Sequence, residues 1–270
     1  LAGKLLRLPV VVSARGSDIN VLSKFRVVRS MVRWTLRNST RNIAVSRALS
    51  DEMVRLGAPP EKIAVIGNGV DEKRFRPLER AEARQALGMP AKAQVVIAVG
   101  GLVPVKNHEM LIEATSRAVQ RYPDLRVYII GEGNQRKHLE DLASRSGLEG
   151  CISFPGKRPN EELNLWYSAA HVTCLPSRKE GWPNVVLESL ACGTPVVATH
   201  AGAVPEILTS PELGIVVGQD SMAMAEGLCQ ALGRTWDRQQ ITRYALTRTW
   251  ESVAQEVETY LQGAIDDAAS

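Results

Sequence analysis

The sequence predicts an α/β fold built from two Rossmann-like, doubly wound domains, the first of them truncated. Short apolar, β-branched runs alternate with segments of helical periodicity along most of the chain. Glycine-bearing turns follow several of those runs, as in Gly67-Asn68-Gly69, Gly100-Gly101 and Gly131-Glu132-Gly133. The 270 residues also suffice for one large or two small domains with a real core.

In chain order, Pro9 to Ser13 is a buried strand and Arg15-Gly16-Ser17-Asp18 the turn that opens a helix. Asn20 to Arg37 is helical, with Val21, Phe25, Val28 and Val32 on one face and Arg26, Arg29, Arg33 and Arg37 on a neighbouring stripe. Strands at Asn42 to Ser46 and Lys62 to Ile66 flank a helix from Arg47 to Leu56 that ends at Gly57. Three strands with two helices form a poor independent domain, so residues 1–70 are expected to be the end of a domain that begins about a hundred residues upstream. Residues 71–92, charged and carrying Pro77 and Pro90, are expected to be a linker.

A full alternation then runs over residues 93–235. Strands are expected at Gln94 to Gly100, Leu125 to Ile130, Cys151 to Phe154, Val172 to Leu175, Pro195 to Ala198 and Ile215 to Val217. Helices are expected at Lys106 to Arg121, Gln135 to Arg145, Glu161 to Ala169, Val185 to Ala191 and Ser221 to Leu232. Strands so spaced by helices imply a parallel sheet covered on both faces. Residues 236–270 hold a last long helix, Gln239 to Gln262.

Composition narrows the function classes. No apolar run approaches the ~18 residues of a membrane span, and Leu1 to Arg7 do not read as a signal peptide. Cys151, Cys174, Cys192 and Cys229 lack metal-type spacing and suit reduced thiols in a cytoplasmic setting. The net charge of +4 is uneven, because residues 1–50 hold ten Lys or Arg against the single acid Asp18. That basic front could rest on an anionic membrane through Arg26, Arg29, Arg33 and Arg37, or be a solvated stripe on a packed helix. With little aromatic interleaving, nucleic acid is not the expected partner.

The chemistry concentrates around Glu180-Gly-Trp-Pro-Asn-Val-Val-Leu-Glu188. Asn184 can cap the helix that follows, and Gly193 stands where a left-handed terminating residue belongs. A helix N-terminus suits an anion. Two carboxylates beside it, Glu180 and Glu188, would repel that anion unless they accept hydrogen bonds from hydroxyls. A phosphate flanked by polyhydroxylated groups fits both features, while an ordinary cap with two solvated acids is the plain alternative. Ligands of open parallel sheets bind beyond the strand C-termini. Gly100 and Gly101 with Lys106, Gly131 with Gly133, and Lys157 with Arg158 are the turns expected there.

These residues resemble the two-glutamate signature of the group 1, or family 4, retaining glycosyltransferases. Asn68-Gly-Val-Asp71, Phe75-Arg-Pro77, Ile130-Gly-Glu-Gly133, Leu175-Pro-Ser177 and Val204-Pro-Glu206 agree in order, and Arg15-Gly-Ser-Asp-Ile-Asn20 resembles the acceptor-domain loop. The resemblance implies the glycosyltransferase-B fold, with residues 93–235 as donor domain and a final helix returning to the first domain. It implies transfer of a hexose-type sugar from a nucleotide-diphosphate sugar to a glycan, lipid-linked or small-molecule hydroxyl. It implies no cofactor beyond that co-substrate and no metal site, and the chain has no Asp-x-Asp.

By the same resemblance, Glu188 holds the ribose hydroxyls and Glu180 the hydroxyls of the transferred sugar. Lys106 and the backbone of Gly181, Trp182, Pro183, Asn184 and Val185 bind the diphosphate, and Lys157 and Arg158 lie against the base. Arg15, Gly16 and Asp18 are candidates to face the site from the first domain. Two departures stand out. Gly101 occupies the place of an arginine expected to pair with Lys106, and the early acceptor-domain loops are missing, with His108, His138, His171 and His200 on no matching motif. Both departures also suit a second reading, a non-catalytic nucleotide-sugar binding or scaffold protein.

Overall fold

The computed structural model describes residues 6, 8–16, 19 and 25–269. Its backbone separates into two compact units. One comprises Leu1–Gly69, Glu180–Trp182 and Arg248–Ser270, the other Val70–Lys179 and Pro183–Thr247.

The first unit is a parallel three-stranded sheet of β1 (Val11–Ala14), β2 (Arg41–Ala44) and β3 (Ile63–Val65), in that order. Helix α1 (Arg26–Asn38) joins β1 to β2 and α2 (Arg47–Arg55) joins β2 to β3. Ser46 caps α2 by accepting from the Leu49 amide at 3.2 Å, and Gly57 ends it with φ +96°. One core joins Ala14, Leu36, Ala44, Leu49 and Met53. The other face is covered by Val253, Val257 and Tyr260 of the C-terminal helix, and the Tyr260 hydroxyl donates to the Lys62 carbonyl at 2.7 Å.

In α1 the inward residues are Val32 and Leu36. Phe25, expected on one face with Val28 and Val32, is 62% exposed. The helix starts after it, and its extended backbone takes it out of the helical period. Val27, Met31 and Trp34 are exposed as well, among Arg26, Arg29, Arg33 and Arg37. Val21 and Asp18 lie outside the described residues.

The second unit is a parallel six-stranded sheet. Its strands are β4 (Gln94–Val99), β5 (Leu125–Ile130), β6 (Ile152–Gly156), β7 (Val172–Leu175), β8 (Val196–Thr199) and β9 (Gly214–Val217). Their order is β6-β5-β4-β7-β8-β9, so the winding direction reverses between β4 and β7. This is the doubly wound Rossmann order, and the reversal makes the crevice where such sheets take ligands. Val95, Val96, Ile97 and Ala98 are all fully buried, as the apolar run of a doubly covered central strand requires.

Helices α3 (Arg80–Ala86), α4 (His108–Arg121), α5 (Arg136–Arg145), α6 (Asn160–Ala169), α7 (Asn184–Ala191), α8 (Val204–Ile207), α9 (Ser221–Leu232) and α10 (Arg238–Ala245) complete this unit. The short α8 has no counterpart in the sequence reading, and a single turn holding Pro205 shows no periodicity to detect.

Two expectations need correction. Residues 71–92 are folded into the second unit rather than strung as a linker. Phe75 is buried edge-on to Tyr167 at 5.9 Å, and Arg84 is only 4% exposed. Arg84 is charged yet buried because it donates to the Ala169 and Ala91 carbonyls, both at 2.9 Å, while its Nη2 sits 3.0 Å from His171. The expected single helix from Gln239 to Gln262 is two, α10 and α11 (Trp250–Ala269), and the chain passes from the second unit to the first between them. A side chain at Gly69 would collide with the Thr249–Trp250 peptide in that connection.

Candidate functional site

In the second unit the turns beyond β4, β5 and β6 meet around one cavity of about 360 Å³. Gly100, Gly101, Gly131, Glu132, Lys157 and Arg158 line it, so three of the turns singled out from sequence converge there. A larger hollow of about 810 Å³ between α4 and α9, with Arg117, Met222, Glu226 and Cys229 on its walls, contains none of them. The smaller cavity lies at the strand C-termini, where this sheet topology places ligands, and is the stronger candidate.

The glycines build its floor. Gly131, at φ +152°, could carry no side chain without striking the Gly100 carbonyl, and Gly133 none without striking Leu102. The two turns are stitched by Gly100 N–H to Ile130 at 3.0 Å and Leu102 N–H to Glu132 at 2.9 Å. Gly131 and Gly133 therefore let one turn close against another. Gly101 is different, since an added Cβ would meet nothing nearer than the Glu132 carbonyl at 3.8 Å.

Lys106 ends a single 3₁₀ turn, Pro104–Lys106, and the carbons of its side chain pass over Gly100. Helix α4 starts two residues later than expected because Asn107 takes a left-handed conformation, φ +53°. His108 behind it is buried, and burial together with the Lys106 charge lowers its pKa to about 4. His171 falls to about 3 through burial beside Arg80, Arg84 and Arg238. Both imidazoles are neutral packing residues at physiological pH.

Arg158 is held over the Trp166 ring at 5.7 Å and donates to the Pro155 carbonyl at 3.0 Å. Trp166 in turn meets Tyr128 edge-on at 5.7 Å. Lys157, one residue away, is exposed.

Helix α7 begins at Asn184 itself. Pro183 stands at the cap position and supplies no side-chain acceptor, which corrects the capping role expected of Asn184. Asn184 and Val185 thus lie in the first turn, at the end where the helix dipole favours negative charge. Gly193 ends the helix with φ +71°, as expected.

One turn along α7, Glu188 is half-buried and accepts a hydrogen bond at 2.8 Å from the Tyr167 hydroxyl. Burial raises the Glu188 pKa, while the Tyr167 hydrogen bond and the Arg74 charge oppose that rise. Tyr167 is fully buried, so its own pKa is pushed far up and it remains a donor. Tyr167 and Arg74 escaped the sequence reading. No local pattern ties them to a glutamate 21 or 114 positions away.

Glu180, Gly181 and Trp182 belong to the first unit and are placed by its residues. The Trp182 ring lies so close on Gly67 that no side chain would fit there, and the Arg248 guanidinium stacks over it at 5.5 Å. Arg248 also donates to the Gly67 carbonyl at 2.8 Å and pairs with Glu256 at 3.1 Å. A side chain at Gly181 would lie 2.6 Å from the Arg15 carbonyl, and Gly16 faces Gly181. Arg15 donates to Asn68 at 3.0 Å. Asp18, the remaining candidate of that group, lies outside the described residues.

Among the described residues no group of three His, Cys, Asp or Glu could hold a metal ion, and no helix is long and apolar enough to cross a membrane.

The family model described as "Glycosyl transferases group 1" matches residues 79–248, and "Glycosyltransferase Family 4" matches residues 1–74. A D-inositol 3-phosphate glycosyltransferase of Corynebacterium urealyticum is 38% identical over 215 residues, covering 74% of this chain and 51% of the relative. The homonymous protein of Kribbella flavida is 40% identical over 187 residues, 64% of this chain and 44% of its own. The chain thus spans about half the length of the curated relatives it matches. Among solved structures, Anabaena Alr3699/HepE in complex with UDP superposes with a TM-score of 0.87 at 24% identity, over 97% of this chain and 74% of that one. That likeness establishes the fold.

Proposed function

The chain belongs to the group 1 glycosyl transferases, and on that premise we propose that it moves a hexose-type sugar from a nucleotide-diphosphate sugar to a hydroxyl acceptor, with retention at the anomeric carbon. The observation that carries the reading is the cavity at the β4, β5 and β6 C-termini, floored by glycines and edged by Lys157 and Arg158, at the switch point of a Rossmann-ordered sheet.

Within this proposal the base lies against Lys157 and Arg158, and Glu188 accepts from the ribose hydroxyls. The diphosphate meets Lys106 and the amides at the start of α7, where the helix dipole favours negative charge. Glu180 contacts the hydroxyls of the transferred sugar. The bond from the anomeric carbon to the diphosphate oxygen breaks through an oxocarbenium-like transition state. The acceptor oxygen bonds to the same face, and its proton passes to the departing diphosphate. Lys106 and the helix amides stabilise the charge that develops on that leaving group.

The names of the curated relatives support a small phosphorylated polyol as acceptor, beside glycan and lipid-linked alternatives. The exposed Val27, Met31 and Trp34 among four arginines support peripheral contact of α1 with an anionic membrane. Sedimentation with anionic and neutral vesicles tests that contact.

The experiment that tests the function uses the full-length protein with a panel of nucleotide sugars. Glu188→Ala is expected to weaken nucleotide binding, and Glu180→Ala to lower turnover with binding largely kept. Undiminished nucleotide affinity in Glu188→Ala overturns the assignment. The open Gly101 favours a second reading, a nucleotide-sugar binding protein without transferase activity. Sugar binding without transfer in the full-length chain would select it.

A further inference from the structure

Glu188 is not free to turn. It projects from α7 into a half-buried corner made by α6 and by the turn that precedes α3. From α6 comes Tyr167, whose hydroxyl lies 2.8 Å from Glu188 Oε2. The preceding turn brings Arg74, which also approaches Asp71 at 3.7 Å, and just past the end of α7 Cys192 carries a buried thiol. Tyr167 is in turn held by its neighbours. It is fully buried, packed edge-on against Phe75, and its carbonyl accepts from the Thr194 hydroxyl at 2.7 Å.

We propose that Tyr167 is a positioning residue for the nucleotide: its hydroxyl occupies Glu188 Oε2 and thereby presents Oε1 to the ribose. This rests on the reading of Glu188 as the ribose acceptor and adds how that acceptor is oriented. A carboxylate oxygen already engaged by a buried donor fixes the plane of the group, so both ribose hydroxyls meet a preset acceptor. The same hydrogen bond favours the ionised carboxylate against burial, together with Arg74. Tyrosine is suited to this position because burial and the neighbouring carboxylate keep its proton in place.

The test is Tyr167→Phe in the full-length protein, which keeps the ring against Phe75 and deletes only the hydroxyl. Affinity for UDP, GDP and ADP is measured calorimetrically from pH 5.5 to 8.5, with Glu188→Ala and the double variant alongside. Tyr167→Phe is expected to weaken the preferred nucleotide about tenfold at pH 7. The loss should grow toward low pH, because Glu188 without its donor takes up a proton more readily. In Glu188→Ala, removing the hydroxyl should cost no further affinity.

A purely structural tyrosine would lower thermal stability and leave the pH profile of binding unmoved, which overturns the proposal. Equal losses in the native and Glu188→Ala backgrounds also overturn it. Should Tyr167→Phe fail to fold, Glu188→Gln in the native background supplies the readout, since its amide keeps one acceptor but cannot ionise. A pH-independent weakening in that variant supports the proposal, and unchanged acid dependence refutes it. Unchanged binding in Glu188→Ala would instead reject the ribose-acceptor reading itself, so the two failures are told apart.

Discussion

Replacing Gly101 by arginine tests whether the cavity beyond β4 binds a diphosphate. The site admits the change, because Gly101 is exposed, its φ lies outside the left-handed region, and the nearest atoms to an added Cβ stand 3.8 and 3.9 Å away. No steric term therefore opposes a Cβ at this position. Removing a glycine's freedom from the unfolded chain should add roughly 0.4–1 kcal/mol of stability. The new guanidinium would share the cavity rim with Lys157 and Arg158 and lie on the same turn as Lys106. A hydrogen bond to a charged group contributes roughly 1.5–3 kcal/mol, or about 10- to 150-fold in Kd. Exposure and screening place the expectation near the lower end, about tenfold. The assay is calorimetric titration of UDP, GDP and ADP into native and Gly101→Arg protein at 25 and 250 mM salt. Nucleoside monophosphates lacking the second phosphate serve as controls. Tightening specific to diphosphates and reduced by salt supports the site. A folded, stable variant with unchanged affinity for all three diphosphates at low salt would refute the reasoning.

Other outcomes follow from the same geometry. Gly131→Ala should lower stability by about 2–4 kcal/mol in urea titration, since the new methyl strikes the Gly100 carbonyl at a backbone angle only glycine tolerates. Arg84→Met should cost about 2–4 kcal/mol by leaving the Ala169 and Ala91 carbonyls without their donor, and a loss below about 1 kcal/mol would show that water replaces it. His108 provides an acid-sensitive step. Its folded pKa of about 4 lies below the unfolded 6.5, so the unfolded chain binds the extra proton and stability falls as pH drops from 6.5 toward 4. At pH 5 that amounts to about 2 kcal/mol of the fall in unfolding free energy between pH 7 and pH 5, a share that His108→Gln should remove while leaving the similar share of His171. Glu188 runs the other way, because its folded pKa is raised and burying the carboxylate costs stability above pH 4.5. Glu188→Gln should therefore melt higher at pH 7.5 while binding nucleotide more weakly.

The alternation of strands and helices was legible because each element carries a local signature. Gln94 to Gly100 read as a strand from its apolar run, and Gly57 and Gly193 end their helices as their positions suggest. Where the reading departed from the structure, tertiary partners had overridden local chemistry. Charged residues 71–92 looked like a connector, yet Arg84 lies buried because the Ala169 carbonyl at the end of α6 and the Ala91 carbonyl accept its hydrogen bonds. Phe25 shared a face with Val28 and Val32 by helical spacing, but the helix begins one residue after it. The site divides along the same line. Its glycines and Lys106 could be found from sequence because turns after strands are locally marked. Tyr167 and Arg74 could not, since their meaning lies in what they do to Glu188 across separate elements. The two signature glutamates, eight positions apart, fall in different units of the chain. Glu180 follows the residues that hold Trp182, namely Gly67 and Arg248, whereas Glu188 follows Tyr167. A change that loosens Trp182 should thus disturb turnover through Glu180 and spare nucleotide affinity, and one at Tyr167 should do the reverse. The spacing that makes the pair recognisable in sequence conceals that its members are held by separate structures.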